Sequence, residues 1–217
     1  MSNRSWSCSP VRQAGLELLK EETGSDPHLL PHHQPPDNEI NPMTGLRSIT
    51  KLLASPGKGI LAADESTPTI EKRINIISTA ESRLACRELI FSPSGLGQFI
   101  SGVILFDETL RRRAVDDTLI PELLKSQGII AGIKVDKGAK ALALFAGEKI
   151  TEGLDGLHDR FAEYATMGAQ FSKWRAVLSI GNDIPTPFCL EANAHALARF
   201  AALSQEAGLV PMSNRRC

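Results

Sequence analysis

Residues 56–67 read Pro-Gly-Lys-Gly-Ile-Leu-Ala-Ala-Asp-Glu-Ser-Thr, a glycine turn followed by a short apolar run that changes to charge at Asp64. Comparable apolar runs follow at Ile100–Phe106, Ile129–Val135 and Phe171–Ile180. Each run is too short and too rich in β-branched residues to favour a helix of its own. Near-continuous apolar runs of this length are typical of strands buried on both faces, so they predict four strands of a parallel sheet.

Helical patterns occupy the intervals between these runs. An amphipathic segment opens the pattern at Leu46–Ala54, and helical spacing recurs in Glu81–Phe91, Gly153–Met167 and Ala192–Ala207. Strands begin roughly every 30 to 40 residues, a spacing that suits βα units. The alternation predicts an α/β protein whose parallel sheet is covered by helices on one or both faces.

Composition narrows the class of protein. Of the 217 residues, 42% are hydrophobic and 23% are charged, which is ordinary for a globular protein. A formal net charge of -1 gives no electrostatic reason to expect a nucleic-acid or membrane partner. The four cysteines are far apart and form no CxxC pair, which favours a reducing compartment over a disulfide framework or a zinc site. We therefore expect a cytoplasmic protein.

The first 42 residues differ from the rest of the chain. They are rich in proline and polar residues and show little apolar periodicity, so we expect a disordered and dispensable extension. Three histidines in it, His28, His32 and His33, are interpreted as part of a solvated linker, because no acidic or thiol partner lies at metal-ligand spacing. The folded part is predicted to begin at residue 43.

Charged side chains follow the apolar runs where the predicted strands end. A period of two places Lys134 and Asp136 on one face of their strand, and Lys173 and Arg175 on one face of theirs. In parallel α/β proteins the carboxyl ends of the strands face the ligand site. Together with Asp64, these residues favour a site for an anionic, phosphorylated carbonyl compound. A set of structural ion pairs at the same edge of the sheet is the alternative.

These same residues carry a resemblance to a known family. Residues 56–67 closely resemble the opening strand of class I fructose-bisphosphate aldolases, and four further stretches resemble that family in the same order along the chain. They are Gly102–Phe106, Gly132–Gly138, Gly153–Leu157 and Phe171–Arg175. The resemblance implies a (β/α)8 TIM barrel, of which this chain would hold about four to five βα units. It also implies a glycolytic lyase that cleaves fructose 1,6-bisphosphate reversibly into dihydroxyacetone phosphate and glyceraldehyde 3-phosphate.

The resemblance further implies roles for individual residues. Asp64 would assist proton transfer and hold a substrate hydroxyl, and Lys134 would contact substrate hydroxyl or phosphate oxygens. Lys173 would stabilise charge beside the reacting carbon, with Arg175 next to it as a substrate-binding residue. Three more residues, Thr69, Arg73 and Arg83, match positions near the phosphate end of the substrate.

Neither a metal nor an organic cofactor is expected. The resemblance implies that the ketose carbonyl forms a Schiff base with a lysine, and that the protonated imine acts as the electron sink for carbon–carbon cleavage. Metal-dependent aldolases, the rival enzymes on a similar barrel, need histidine ligands at strand ends. Here His158 and His195 both fall in predicted helices.

The resemblance covers only the first half of the family's barrel. It places the Schiff-base lysine on strand six and the main acid/base glutamate at the end of strand five. After Leu209–Pro211, the expected start of strand five, the chain departs into residues 212–217, a non-homologous tail that a one-nucleotide frameshift would explain. Residues 43–211 are therefore expected to form a half-barrel without the Schiff-base lysine, inactive alone.

Two alternatives to an active lyase remain open. One is a non-catalytic half-barrel that associates with full-length aldolase subunits, and the other is an unstable product of a frameshifted gene. The family is typically homotetrameric, and the oligomeric state of this chain is left open.

Overall fold

The computed structural model describes residues 42–65 and 79–216. The chain divides into two units, residues 1–39 and 40–217, and all the described residues lie in the second. Two predictions fall on residues outside the described ranges: a disordered segment over residues 1–42, and substrate contacts from Thr69 and Arg73. The exception is Pro42, which is the first residue of a helix.

The described residues form six α-helices, one 3-10 turn at Leu96–Gln98 and seven strands. The helices are α1 (Pro42–Leu53), α2 (Ala80–Phe91), α3 (Asp107–Leu110), α4 (Ile120–Ser126), α5 (Leu157–Thr166) and α6 (Pro187–Glu206). The strands are β1 (Gly59–Ala63), β2 (Ile100–Leu105), β3 (Ile130–Lys134), β4 (Ala139–Ala141), β5 (Lys149–Thr151), β6 (Phe171–Val177) and β7 (Val210–Arg216). Among the described residues, no helix combines the length and the apolar character that crossing a membrane would require.

Five of these strands form one parallel sheet in the order β1-β2-β3-β6-β7. Each strand therefore lies beside the next one in the chain, apart from the short antiparallel hairpin β4–β5, which is inserted between β3 and α5. A parallel sheet of consecutive βα units is the arrangement of a partial TIM barrel. The predicted α/β class is confirmed, whereas the hairpin was not foreseen because its strands are only three residues long.

The outer face of the sheet packs against the helices and forms the larger core. Trp174 of β6 lies 5.5 Å from Phe200 of α6 between ring centroids, and Phe161 of α5 lies 6.4 Å from the same ring. Other fully buried side chains in this core are Phe91, Val103, Leu105, Leu124, Ile133 and Leu209. Complete burial of such side chains contributes about 1.5–3 kcal/mol each.

The inner face of the sheet carries a smaller apolar cluster at its amino-terminal end. Leu53 of α1 packs there with Ile104 of β2 and Phe171 of β6. The Phe171 ring lies over two glycines, because a Cβ built at Gly132 would come within 2.2 Å of the ring and one at Gly102 within 3.2 Å. The glycines therefore make room for Phe171, and α1 covers this end of the inner face.

Four element boundaries differ from the sequence expectation by three residues or more. Helix α1 begins at Pro42, four residues before the predicted Leu46. Helix α6 begins at Pro187, five residues earlier than predicted, because Thr186 is its N-cap and its hydroxyl accepts a hydrogen bond from the Cys189 amide. Helix α5 begins at Leu157 rather than Gly153, since Gly153 and Gly156 both have positive φ angles. Strand β6 ends at Val177 rather than Ile180.

Strand β7 extends from Val210 to Arg216 and pairs with β6 along its whole length. Residues 212–216 therefore continue the strand that begins before them. The proposal that these residues depart from the family pattern remains a prediction from the sequence.

Candidate functional site

Four of the predicted site residues share the inner face of the sheet, at its carboxyl end. Lys134 and Lys173 are register partners on the adjacent strands β3 and β6, so their side chains leave the sheet on the same side. Arg175 lies two residues beyond Lys173 and points to the same face, while Asp64 directly follows β1. The inner face thus has an apolar tier around Phe171 and, above it, a charged tier formed by Asp64, Lys134, Lys173 and Arg175, together with Asp136 just beyond the end of β3.

Asp64 and Lys173 form an ion pair across the sheet. The Lys173 ammonium donates a hydrogen bond to Asp64 Oδ2 at 2.8 Å, and the side chains of Lys173 and Asp64 are 10% and 11% exposed, respectively. The neighbours Ser172 and Trp174 point to the helical side, as alternation along a strand requires. A lysine in a buried strand is costly unless it is paired, and this carboxylate supplies the partner.

Asp136 is the most buried carboxylate of the site, with only 2% of its side chain exposed. Its Oδ1 accepts a hydrogen bond from the Gly138 amide at 3.1 Å and lies 3.7 Å from the Lys134 ammonium. Its Oδ2 accepts from the Arg175 amide at 3.3 Å. Asp136 therefore ties the loop after β3 to strand β6 and compensates the charge of Lys134.

Arg83, predicted to bind the phosphate end of a substrate, lies on α2 and forms a bidentate pair with Glu108 of α3. The two nitrogen–oxygen distances are 3.0 and 2.8 Å. These hydrogen bonds hold the pKa of Glu108 below its ordinary value, against the opposing effect of burial. The structure thus brings Arg83 to a carboxylate of the helical layer.

A cavity of about 640 Å³ lies beside Lys134, at the carboxyl ends of β2 and β3. Asp107, Arg111 and Tyr164 line it together with Lys137 and Arg160. Burial opposes ionisation of Asp107, yet hydrogen bonds from Arg111 and Tyr164 hold its pKa below the ordinary value. A second cavity, of about 400 Å³, lies at the opposite end of β3, and among the described residues its charged lining side chains are Glu122 and Lys125.

Two arginines that the sequence did not single out also reach strand ends. Arg87 of α2 donates hydrogen bonds to the carbonyls of Ala63 and Glu65. Arg160 of α5 donates to the carbonyls of Val135 and Gly153. The helical periodicity could have indicated Arg87, because it lies four residues before the fully buried Phe91 and therefore on the buried side of its helix.

The described part of the chain contains no cluster of three or more histidine, cysteine or acidic side chains placed to hold a metal ion. His158 and His195 lie in α5 and α6, as predicted, and both are exposed.

Comparison with known proteins identifies close similarity to one family. Residues 45–215 match the family described as fructose-bisphosphate aldolase class-I. The chain is 55% identical, over 170 residues, to the probable fructose-bisphosphate aldolase class 1 of Xanthomonas campestris pv. campestris, covering 77% of this chain and 51% of that protein. It is 51% identical over 163 residues to Arabidopsis thaliana fructose-bisphosphate aldolase 4, cytosolic, covering 74% and 42%.

A solved structure shows the same similarity in three dimensions. The fold matches fructose-bisphosphate aldolase from Plasmodium falciparum, solved in complex with TRAP and a small-molecule inhibitor, with a TM-score of 0.78 and 43% sequence identity. The match covers 81% of this chain and 52% of that one. The chain therefore spans about half the length of the relatives it matches.

Proposed function

Because this chain belongs to the class I fructose-bisphosphate aldolase family, we propose that its charged tier binds a phosphorylated ketose and provides part of an aldolase site. The reaction served by that site is the reversible cleavage of fructose 1,6-bisphosphate into dihydroxyacetone phosphate and glyceraldehyde 3-phosphate. The observation that carries this proposal is the contact of Lys173 with Asp64 on the face that also presents Lys134. As with the Arabidopsis relative named as cytosolic, we place this activity in the cytoplasm.

Each residue of the charged tier has a chemical task that suits its position. The Lys173 ammonium stabilises negative charge that develops near the reacting carbon, since a cation fixed in a partly dry site acts strongly on such charge. Asp64 has several acceptor positions and uses one for Lys173, so a substrate hydroxyl can bind to another. Lys134 and Arg175 supply positive charge for phosphate or hydroxyl oxygens.

A polypeptide of these 217 residues is proposed to bind the sugar without cleaving it. The resemblance places the Schiff-base lysine on strand six, which does not correspond to either lysine of the charged tier. In this structure Lys173 Nζ is held by Asp64 Oδ2 at 2.8 Å, which assigns it to an ion pair rather than to attack on a carbonyl. Binding without an imine lowers the barrier to cleavage very little.

Binding is tested by titrating fructose 1,6-bisphosphate into the protein and measuring the dissociation constant by calorimetry. Lys173→Met and Lys134→Met are each expected to weaken binding about tenfold, the loss of one charge-assisted hydrogen bond. Lys125→Met is the matched control, because Lys125 lies at the opposite end of β3. Equal affinities in all four proteins would refute the proposed site.

The catalytic part of the proposal is tested by borohydride trapping. The protein is incubated with dihydroxyacetone phosphate, reduced and analysed by peptide mass mapping. We expect no stoichiometric adduct on Lys134 or Lys173 and no turnover of fructose 1,6-bisphosphate. An adduct on either lysine together with turnover would show that this half of the barrel forms its own imine.

A further inference from the structure

The guanidinium of Arg87 is buried, with 5% of the residue exposed. It donates to two backbone carbonyls, those of Ala63 and Glu65, the latter at 2.9 Å. A buried cation is costly unless its donors are satisfied, and here burial lowers the pKa of Arg87 from its ordinary value. The two hydrogen bonds therefore give the buried guanidinium partners and at the same time fix the backbone to which it is bound.

The two carbonyls flank Asp64 in the chain. Ala63 is the last residue of β1, so Asp64 and Glu65 follow the point where the strand ladder ends. Backbone beyond the end of a strand no longer has the inter-strand hydrogen bonds that fix its position, so its side chains are less firmly oriented. Arg87 provides replacements on both sides of Asp64, whose carboxylate then meets the Lys173 ammonium at 2.8 Å.

Arg160 makes the same kind of contact at the end of β3. Its Nη1 donates to the Val135 carbonyl at 3.0 Å, and its Nη2 donates to the Gly153 carbonyl. Val135 lies between Lys134 and Asp136, the second ion pair of the charged tier. A Cβ at Gly153 would come within 2.9 Å of the Lys137 amide, so glycine permits this close approach of the two loops.

We propose that Arg87 and Arg160 are positioning residues, each of which orients one ion pair of the charged tier by binding the backbone beside it. Arg87 orients Asp64 against Lys173, and Arg160 orients Asp136 against Lys134. The planar guanidinium suits this task, because its fork of donors binds two carbonyls at once, which a lysine ammonium does with less geometric control. The inference deepens the proposed function, since the same pairs are proposed to bind the sugar, but its test needs no sugar.

The test observes the two ion pairs directly. In protein labelled with 15N-lysine, the side-chain ammonium signals of Lys173 and Lys134 are assigned, and Asp64→Asn and Asp136→Asn provide the signals of the unpaired lysines. Arg87→Met is expected to shift the Lys173 signal most of the way to its unpaired position and to leave Lys134 unchanged. Arg160→Met is expected to shift Lys134 and to leave Lys173 unchanged.

Two further variants distinguish the geometry of the arginine hydrogen bonds from the positive charge alone, and from a general destabilisation of the fold. Arg87→Lys keeps the positive charge but loses the forked pair of guanidinium donors, so the Lys173 signal should still shift. This variant also replaces Arg87→Met in the test if Arg87→Met does not fold. Arg112→Met, which removes a more exposed arginine of the same neighbourhood, should move neither signal.

The inference is overturned if Arg87→Lys behaves as the wild type, if either arginine variant moves both signals together, or if neither variant moves its own signal. A separate titration with fructose 1,6-bisphosphate distinguishes this outcome from failure of the proposed function. Selective shifts without sugar binding would leave the positioning role intact and refute only the sugar site.

Discussion

At the scale of single residues, the site depends on how buried charges are compensated. Lys173 is compensated by a carboxylate, Arg87 by carbonyl groups and Asp136 by two amides and a nearby ammonium. Arg83 and Glu108 are a similar case outside the charged tier, with 14% and 26% of their side chains exposed. Because the hydrogen bonds from Arg83 hold the pKa of Glu108 below its ordinary value, the protonation state of Glu108 is linked to the stability of the fold.

The Arg83–Glu108 pair predicts a pH-dependent contribution to stability. The folded-state pKa of Glu108 is lowered from its ordinary value of 4.5, so the stabilisation is fully present above that value and is lost as the pH falls through the folded pKa. Glu108→Gln should therefore lower the free energy of unfolding by about 1–2 kcal/mol at pH 7. The difference from the wild type should shrink as urea unfolding is repeated at successively lower pH below 4.5.

Glu191→Gln is the control for this measurement, because Glu191 is exposed on α6. Glu191→Gln should change the free energy of unfolding little at any pH. A Glu108→Gln deficit that persists unchanged at acid pH would show that the pair contributes through packing rather than through charge.

At the scale of elements, α1 closes one end of the inner face. Leu53 and Ile49 pack from this helix onto Ile104 and Phe171, and the Ser101 hydroxyl donates to the Leu53 carbonyl at 2.7 Å. The helix precedes the first strand in the chain but packs across strands β2 and β6. The apolar tier, and with it the support beneath the charged tier, therefore depends on the docking of α1.

Adjacent leucines of α1 provide a matched test of this docking. Leu53 is 6% exposed and Leu52 is 57% exposed. Leu53→Ala should lower the free energy of unfolding by about 2–4 kcal/mol, since it removes the transfer free energy and leaves a cavity against Phe171. Leu52→Ala should change it by less than about 0.5 kcal/mol. Equal losses in thermal or urea unfolding would show that α1 is held by its backbone rather than by this side chain.

At the scale of the whole molecule, the described sheet ends at β1 on one side and at β7 on the other. An edge strand presents unpaired backbone groups that can pair with another chain. Both strands also carry apolar side chains that pack in the two cores, namely Ile60 and Leu61 of β1 and Val210 and Met212 of β7. A polypeptide of these residues should therefore self-associate as its concentration rises.

A charge on the edge should reduce this self-association, because lysines on edge strands oppose strand pairing. Ser213 is an exposed residue of β7, aligned with Trp174 of β6. Ser213→Lys should lower the average mass measured by sedimentation equilibrium, whereas Ala198→Lys, at an exposed position of α6, should not. If both variants associate as the wild type does, another surface is responsible.

The sequence by itself determined the elements that follow from local periodicity. Apolar runs of strand length located β1, β2, β3 and β6, and the period of two along β3 and β6 placed Lys134 beside Lys173 on one face. The start of α6 was also readable from Thr186 and Pro187, although the prediction placed it too late. These features depend on neighbours a few residues apart, so they are visible in a linear pattern.

Only the tertiary structure decided which charges meet. Asp64 and Lys173 are 109 residues apart, and their contact depends on strand order, register and the twist of the sheet together. The pairing of Arg83 with Glu108, and the reach of Arg87 and Arg160 to strand ends, depend on how each helix is rotated when it packs on the sheet. Periodicity shows which face of an element is buried. The partner of a long polar side chain, however, depends on which groups the neighbouring elements bring within hydrogen-bond distance.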